Sequence, residues 1–579
     1  MSERLALRPL LSGAIQSLPG APQRAAALPG ILRADGDRRD GIAQAVARAA
    51  QRWPRSTALI FDGERWTWRR FQRQAGRVAA ALAAMGVREG DVLALACGNR
   101  PELLLVVTAA GQLGAVCALL NPDLPAPARA QALATSGAQH LIADPDRAAS
   151  MGATGLALCR GSESAPPGWT DLRDVLPTAP LRTIHRPRRQ DPALHVFTSG
   201  TTGLPKASVM SHGRWLKAAS VYGRVLVGLR PDDVVYCPLP FFHNLALTAA
   251  WGGCVATGAA LAMAPSFSAR RYWDDVREVG ATVLPYIGEL PAFLLAQPPH
   301  PADRLHRARA AFGVGMRPGL WTAFQERFGV PRILETYGAS EGNILFLNLL
   351  GVPGSVGFCP ARYRLLAWDR EAGTWSRDAD GRPQRAKRGE PGLLVGRVSG
   401  RYRFDGYTDP SASEKKLLRD LFEPGDCWFD SGDLLADLGW WHAAFVDRVG
   451  DTFRWKSENV STTQVEAALL AQPGIQACAV YGVEVPGMPG RAGMAAIVST
   501  GPLPQDLAAR LRAILPGPAV PVFLRQVDSL EVTGTFKNKK AELQDEGWDR
   551  DDLQVLVDGG YEALTESSRT AIRTGAARL

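Results

Sequence analysis

The sequence predicts an α/β protein: a large N-terminal domain of mostly parallel, helix-covered sheets, followed by a small α+β domain. Three observations carry this. The chain has 579 residues, too many for one ordinary core. Residues 55–145 alternate strand and helix signals, the pattern of βα units. After Asp447 the same alternation restarts on a smaller scale.

Taken in order, TALIFDGERWTWRRF (57–71) reads as a hairpin running into a helical pattern from Phe71 to Met85. The apolar strand VLALACG (92–98) comes next, and a helix opens at Pro101. A polar, Pro-rich loop occupies about 160–192, and a second polar stretch, 369–392, reads as exposed hairpin turns. Beyond Asp447 a helix is predicted near Thr462–Leu470, a strand at 478–483 and a helix over Pro504–Leu515. No internal repeat is visible.

Composition narrows the function. With 46% apolar and 21% charged residues, the chain buries large cores and is not a disordered protein. Its formal charge is +9, carried almost wholly by arginine, since only nine of 66 basic residues are lysine. A basic surface suits anionic partners such as nucleotides, CoA, fatty carboxylates and membrane headgroups. Zinc-finger spacings and a concentrated basic arm are both missing, so no nucleic-acid partner is expected. Eight scattered cysteines without a CxxC pair read as reduced thiols of a cytoplasmic protein.

Residues 1–40 read as a leader, Arg-bearing and weakly amphipathic, without a signal-peptide core. It is a plain cytoplasmic segment, a transit peptide, or a helix that lies on the inner face of a membrane. Leu103–Pro122 and Asn244–Ala269 are uncharged and long enough to raise the question of a membrane span. Neither has basic anchors, and both read as buried strands and helices.

The sharpest chemical signal is HVFTSGTTGLPKASVMSH (195–212), where an apolar strand runs into Thr198, Ser199, Gly200, Thr201, Thr202 and Gly203, with Lys206 following. Glycines let backbone wrap a phosphate chain, hydroxyls and N–H groups donate to it, and the lysine supplies charge. It is not a Walker A loop, because Leu204 and Pro205 separate glycine from lysine and Ala207 follows. The alternative, a Ser/Thr/Gly-rich linker, fits poorly with a strand entry and a lysine exit.

TSGTTGLPK resembles the phosphate-loop signature of the adenylate-forming superfamily: acyl-CoA synthetases, adenylation domains and luciferases. The resemblance continues at TYGASEGN (336–343), WFDSGDLL (428–435), DRVGDTFRWKSENVSTTQVE (447–466) and TGTFKNKK (533–540). TVLPYIGELPAFLL (282–295), DTFRWKSENVSTT, YGVEVPGMPGRAGMAA (481–496) and the C-terminal tail resemble the fatty-acid-transport-protein and very-long-chain acyl-CoA synthetase branch. This implies a domain at 41–446 that binds ATP and an acyl chain and has a β-barrel-like part. It also implies a mobile C-terminal domain at 447–579 that turns about a hinge at 448–450.

The implied reaction is fatty acid plus ATP to acyl-AMP and pyrophosphate, then transfer to CoA. Joining two anions demands charge neutralisation and held geometry. Thr202 acts with the phosphate loop, and Glu341 is the Mg²⁺ ligand. Tyr337, Gly338, Ala339 and Ser340 contact the adenylate, with Ser340 keeping the hydroxyl where relatives usually have threonine. An SGD tripeptide alone is a common turn. In this context Asp433 accepts the ribose hydroxyls, with Arg448 as second partner. Lys537 bridges carboxylate and α-phosphate in the first step. Lys456 lies on the other face of the small domain, presented once that domain has turned. Ser457 stands where relatives commonly have the glycine that pantetheine threads past. His243 sits near the acyl-carboxylate entrance or is a packed core histidine. Ala246–Ala260 serves either an acyl slot or tight helix packing. Two rivals remain: a ligase for bile-acid-like or other bulky carboxylates or for a carrier protein, and a fatty-acid uptake or binding protein with secondary ATP chemistry.

Overall fold

The computed structural model describes residues 7–33, 35–151, 154–181, 184–199, 205–369, 373–456, 458–486, 488, 490–532, 539–557 and 559–574. Within them, two large sheets share one extended core. Sheet A has seven strands in the order 169–171, 155–157, 140–143, 92–96, 116–120, 192–199 and 205–211. All its neighbours are parallel except the last pair. Sheet B has eight strands, ordered 345–347, 333–338, 310–314, 283–287, 234–237, 260–263, 57–61 and 64–67; its six inner strands run parallel.

The hairpin at the edge of sheet B turns at Asp62 and Gly63, both at positive φ (50° and 73°), the conformation an Asp-Gly turn favours. Trp68–Ala84 then forms a helix because Thr67 Oγ1 caps the N–H of Arg70 and an apolar stripe faces inward. Trp68, Phe71, Ala75, Val78, Ala79 and Leu82 are all buried on it. Pro101–Leu113 starts on a proline and stops at Gly114 in the left-handed region, φ 78°. It is buried nearly all round, so its uncharged sequence reflects the core. Among the described residues no helix is long and apolar enough to cross a membrane.

The part expected to be barrel-like is a six-stranded antiparallel sheet C, built on the long strand Cys427–Gly439. A separate core, from Phe453 to Ile572, belongs to the C-terminal five-stranded sheet and its helices. Thr462–Leu470 is helical as predicted; the later helix is shorter than predicted, Leu507–Arg512, because Pro504 and Pro516 bracket it with turns. At the other end, helices Leu7–Ser17 and Ala21–Leu32 fold onto the large domain, where Arg24 Nε donates to Val225 O at 2.7 Å.

Candidate active site

The strand Pro192–Ser199 rises through sheet A and is answered by Pro205–Ser211, with Thr198 opposite Lys206. Lys206 is half-buried at this exit. Gly200, Thr201, Thr202 and Gly203 lie outside the described residues, and so do the side chains of Thr198 and Ser199. The exit strand is tied to a segment of the antiparallel region: Val209 N donates to Gly406 O and Thr408 N to Ala207 O, both at 2.9 Å. Asp405 Oδ2 accepts from Ser211 N at 3.0 Å.

The neighbouring element is the strand Ile333–Gly338, the last of the parallel strands of sheet B, which delivers Tyr337 and Gly338; Ala339, Ser340 and Glu341 form the turn beyond it. Glu341 is half-buried, and two groups that the sequence reading missed stand against it. Arg214, at the start of helix His212–Ser220, donates Nη2 to the carbonyls of Ala339, at 3.1 Å, and of Gly342. Its Nη1 is buried without a hydrogen-bond partner. Burial lowers the Arg214 pKa, opposed by the charges of Asp405 and Glu341. Tyr407 faces the same carboxylate: burial, then the charge of Glu341 and hydrogen bonding to it, push its phenol above the ordinary value. The turn thus rests on a guanidinium, with a phenol and a guanidinium flanking its acid.

One strand turn earlier, Glu335 is buried and takes three donors. Gly315 N reaches Oε1 at 2.6 Å, while Met316 N, at 3.1 Å, and the Tyr286 hydroxyl, at 2.6 Å, reach Oε2. Burial raises its pKa to about 8 against these hydrogen bonds. Glu335 therefore fixes the loop at 315–316 beside the site, a role that an acid inside an apolar strand does not announce.

Across from this strand, Asp433 and Arg448 are cross-strand partners in sheet C. The Tyr337 hydroxyl donates to Asp433 Oδ2 at 2.6 Å, and Arg448 Nε stands 3.4 Å from Oδ1. Burial first, then the Asp433 charge, lift the Tyr337 pKa, so the phenol stays a donor. Its ring lies 6.1 Å from Phe445, nearly parallel. An ionised carboxylate only accepts, so Asp433 is the kind of group that hydroxyl donors seek.

Lys456 is exposed at a hairpin tip with φ 49°, in the left-handed region. Ser457 and Lys537 lie outside the described residues. His243 Nδ1 accepts from Leu245 N at 3.5 Å, and its segment is pinned by Asn99, which donates to Leu239 O and Ala264 O and accepts from Phe241 N. Within Ala246–Ala260, Gly253 serves close helix packing: a Cβ on Gly223 would come within 2.7 Å of Gly253 O.

Residues 46–407 match the AMP-binding enzyme family, and residues 464–537 match the AMP-binding enzyme C-terminal domain. The chain belongs to the AMP-binding enzymes. It is 44% identical to the medium/long-chain-fatty-acid–CoA ligase FadD6 of Mycobacterium tuberculosis over 527 residues, covering 88% of this chain and 87% of that one. With human long-chain fatty acid transport protein 1 it shares 39% identity, covering 93% and 88%. Among solved structures, the anthranilate CoA ligase AuaEII with anthranoyl-AMP superposes with a TM-score of 0.75 at 21% identity, covering 88% of this chain and 97% of that one. This AMP-binding enzyme therefore has the α/β fold read from its sequence, in the same two-domain arrangement.

Proposed function

We propose that this AMP-binding enzyme activates a long- or very-long-chain fatty acid with ATP to acyl-AMP and passes the acyl group to CoA. The observation that carries the reading is the cluster of Tyr337, Asp433 and Arg448, a buried carboxylate held between a phenol and a guanidinium, the kind of acceptor that ribose hydroxyls need. Glu341, on the turn beside Lys206's strand, supplies the single carboxylate that a Mg²⁺ carried on a triphosphate needs from a protein. Bound there, Mg²⁺ would neutralise phosphate charge.

The chain's own residues do the rest. Asp433 and Arg448 orient the nucleoside, Lys206 and the phosphate loop through Thr202 hold the phosphates, and Lys537 places positive charge between the reacting anions. The small domain then turns about 448–450, bringing the face with Lys456 and the Ser457 loop towards the acyl-adenylate for thioester formation. The long-chain substrate rests on likeness to the FadD6 ligase and the fatty acid transport proteins. Peripheral contact with the inner face of a membrane, from the cytoplasm, belongs to the same reading.

The test is pyrophosphate release measured with carboxylic acids of graded length, with and without CoA. A maximum at long chains and thioester only with CoA are expected. Preference for a bulky ring acid, or acyl-AMP that never reaches CoA, would replace the substrate or acceptor.

A further inference from the structure

Helix His212–Ser220 has a second job. Its residues Trp215, Leu216, Lys217, Ala219 and Ser220 line a cleft of about 530 Å³, bordered on its other sides by Ala21–Leu32, Ile42–Arg52 and Gly252–Thr257. That volume is within the range of small-molecule sites. Five cations line it, Arg48, Arg52, Arg189, Lys217 and Arg224, and no acid does among the described residues. Arg48 and Arg189 are neutralised by Asp40 at 2.7 and 3.1 Å, and Arg189 also by Asp35.

The other three have no ion-pair partner among the described residues. Arg52 lies over the Trp53 ring at 5.0 Å, Arg224 donates to Ala256 O, and Lys217 donates to Arg401 O at 3.3 Å. Burial, and then Arg52 and Arg48, lower the Arg224 pKa; burial also lowers that of Lys217, with Arg189 and Arg401 adding to it against Asp35. These cations repel one another. Between them the wall is apolar, made by Ile31, Ala45, Trp53, Trp215 and Val255. The Trp215 indole N–H is buried there without an acceptor.

We infer that this cleft is a second, non-catalytic seat for a long-chain anionic amphiphile, its carboxylate or phosphate head on Arg52, Arg224 and Lys217 and its alkyl chain along Trp53 and Val255. Uncompensated cations over an apolar wall match such a ligand at both ends. Ile31, from the N-terminal helix, forms one lip, so occupancy also fastens that helix to the body.

The inference stands apart from the substrate assigned above, and so does its test. Equilibrium dialysis with labelled palmitate, without ATP, is run on the full chain with and without an excess of a non-hydrolysable palmitoyl-sulfamoyl adenosine. The wild type should bind palmitate beyond what the adenylate mimic displaces. The double variant Arg52→Ala/Arg224→Ala should weaken that remaining binding about tenfold or more. Its pyrophosphate-release rate and melting temperature should stay at wild-type values. Co-sedimentation with phosphatidylglycerol against phosphatidylcholine vesicles separates the two sources of the head group. If the double variant loses only vesicle binding, the amphiphile is a lipid; if it loses only palmitate, it is the free acid. Palmitate and vesicle binding both unchanged in the double variant would overturn the inference.

Discussion

At the scale of single residues, the site is built from donors aimed at two carboxylates. Tyr337 donates to Asp433 through a short bond to a buried acceptor. Removing such a donor typically costs about 1.5–3 kcal/mol when the acceptor is charged. Tyr337→Phe should therefore raise the KM for ATP about tenfold or more while kcat changes less, as pyrophosphate-release kinetics would show. Arg214 works one step further back, holding the carbonyls on either side of Glu341. Arg214→Met takes the guanidinium donor from both carbonyls, leaving Ala339 O with Gly342 N, and kcat/KM for ATP should fall about a hundredfold. Arg214→Lys should recover part of it. A Mg²⁺ titration of ATP binding by calorimetry distinguishes a displaced metal ligand from general damage: only the former weakens binding selectively when Mg²⁺ is present. The motif residues Tyr337, Asp433 and Arg448 were legible because each sits in a short signature. Arg214 and Tyr407 were not, since one arginine among so many looks like solvated surface until the fold encloses it.

At the scale of elements, the loop 315–316 is held through Glu335, whose strand reads as plain core. Its folded pKa, about 8, stands above the ordinary 4.5 because burial disfavours the charged form. The folded protein then keeps a proton that the unfolded chain releases over this interval. The stability Glu335 contributes is complete below about 4.5 and is lost as pH rises through about 8. Melting temperatures recorded from pH 5 to 8.5 should show this decline in the wild type. In Glu335→Gln it should flatten, and overall stability should drop by about 1–3 kcal/mol, because an amide NH₂ meets a backbone donor. The hairpin at 57–68, the helix from the region of Phe71 and the helix Thr462–Leu470 were readable from turn chemistry and apolar spacing. The antiparallel sheet C was not, apart from the family likeness. Its strands pair over long separations and alternate too loosely for any local pattern to reveal register. The role of Ala246–Ala260 was equally hidden, because small residues suit either a slot or close helix packing; the approach of Gly223 to Gly253 shows the packing use at that one position.

At the scale of the molecule, two cores meet near the line where the small domain begins. Asp447 accepts Thr462 N at 2.9 Å, and Lys540 pairs with Glu466 at 2.8 Å. Glu466 and Lys540 lie near enough to Glu289 of the large domain for their charges to act on it, although burial is the main force raising its pKa and its direct partner is Arg317. A turn about 448–450 would part Glu289 from that pair, and on the proposed reading Lys537 acts before the turn and Lys456 is presented after it. Lys537→Ala should cripple acyl-adenylate formation yet largely spare conversion of supplied acyl-AMP to thioester. Equal loss in both steps would count against the turning domain. The most direct measurement is a single turnover of the wild-type enzyme with ATP, Mg²⁺ and a sixteen-carbon acid, quenched before and after CoA is added. Acyl-AMP should accumulate in the first interval with stoichiometric pyrophosphate, then disappear into acyl-CoA with release of AMP. Acyl-CoA formed without a preceding acyl-AMP, or no pyrophosphate at all, would contradict the adenylate route.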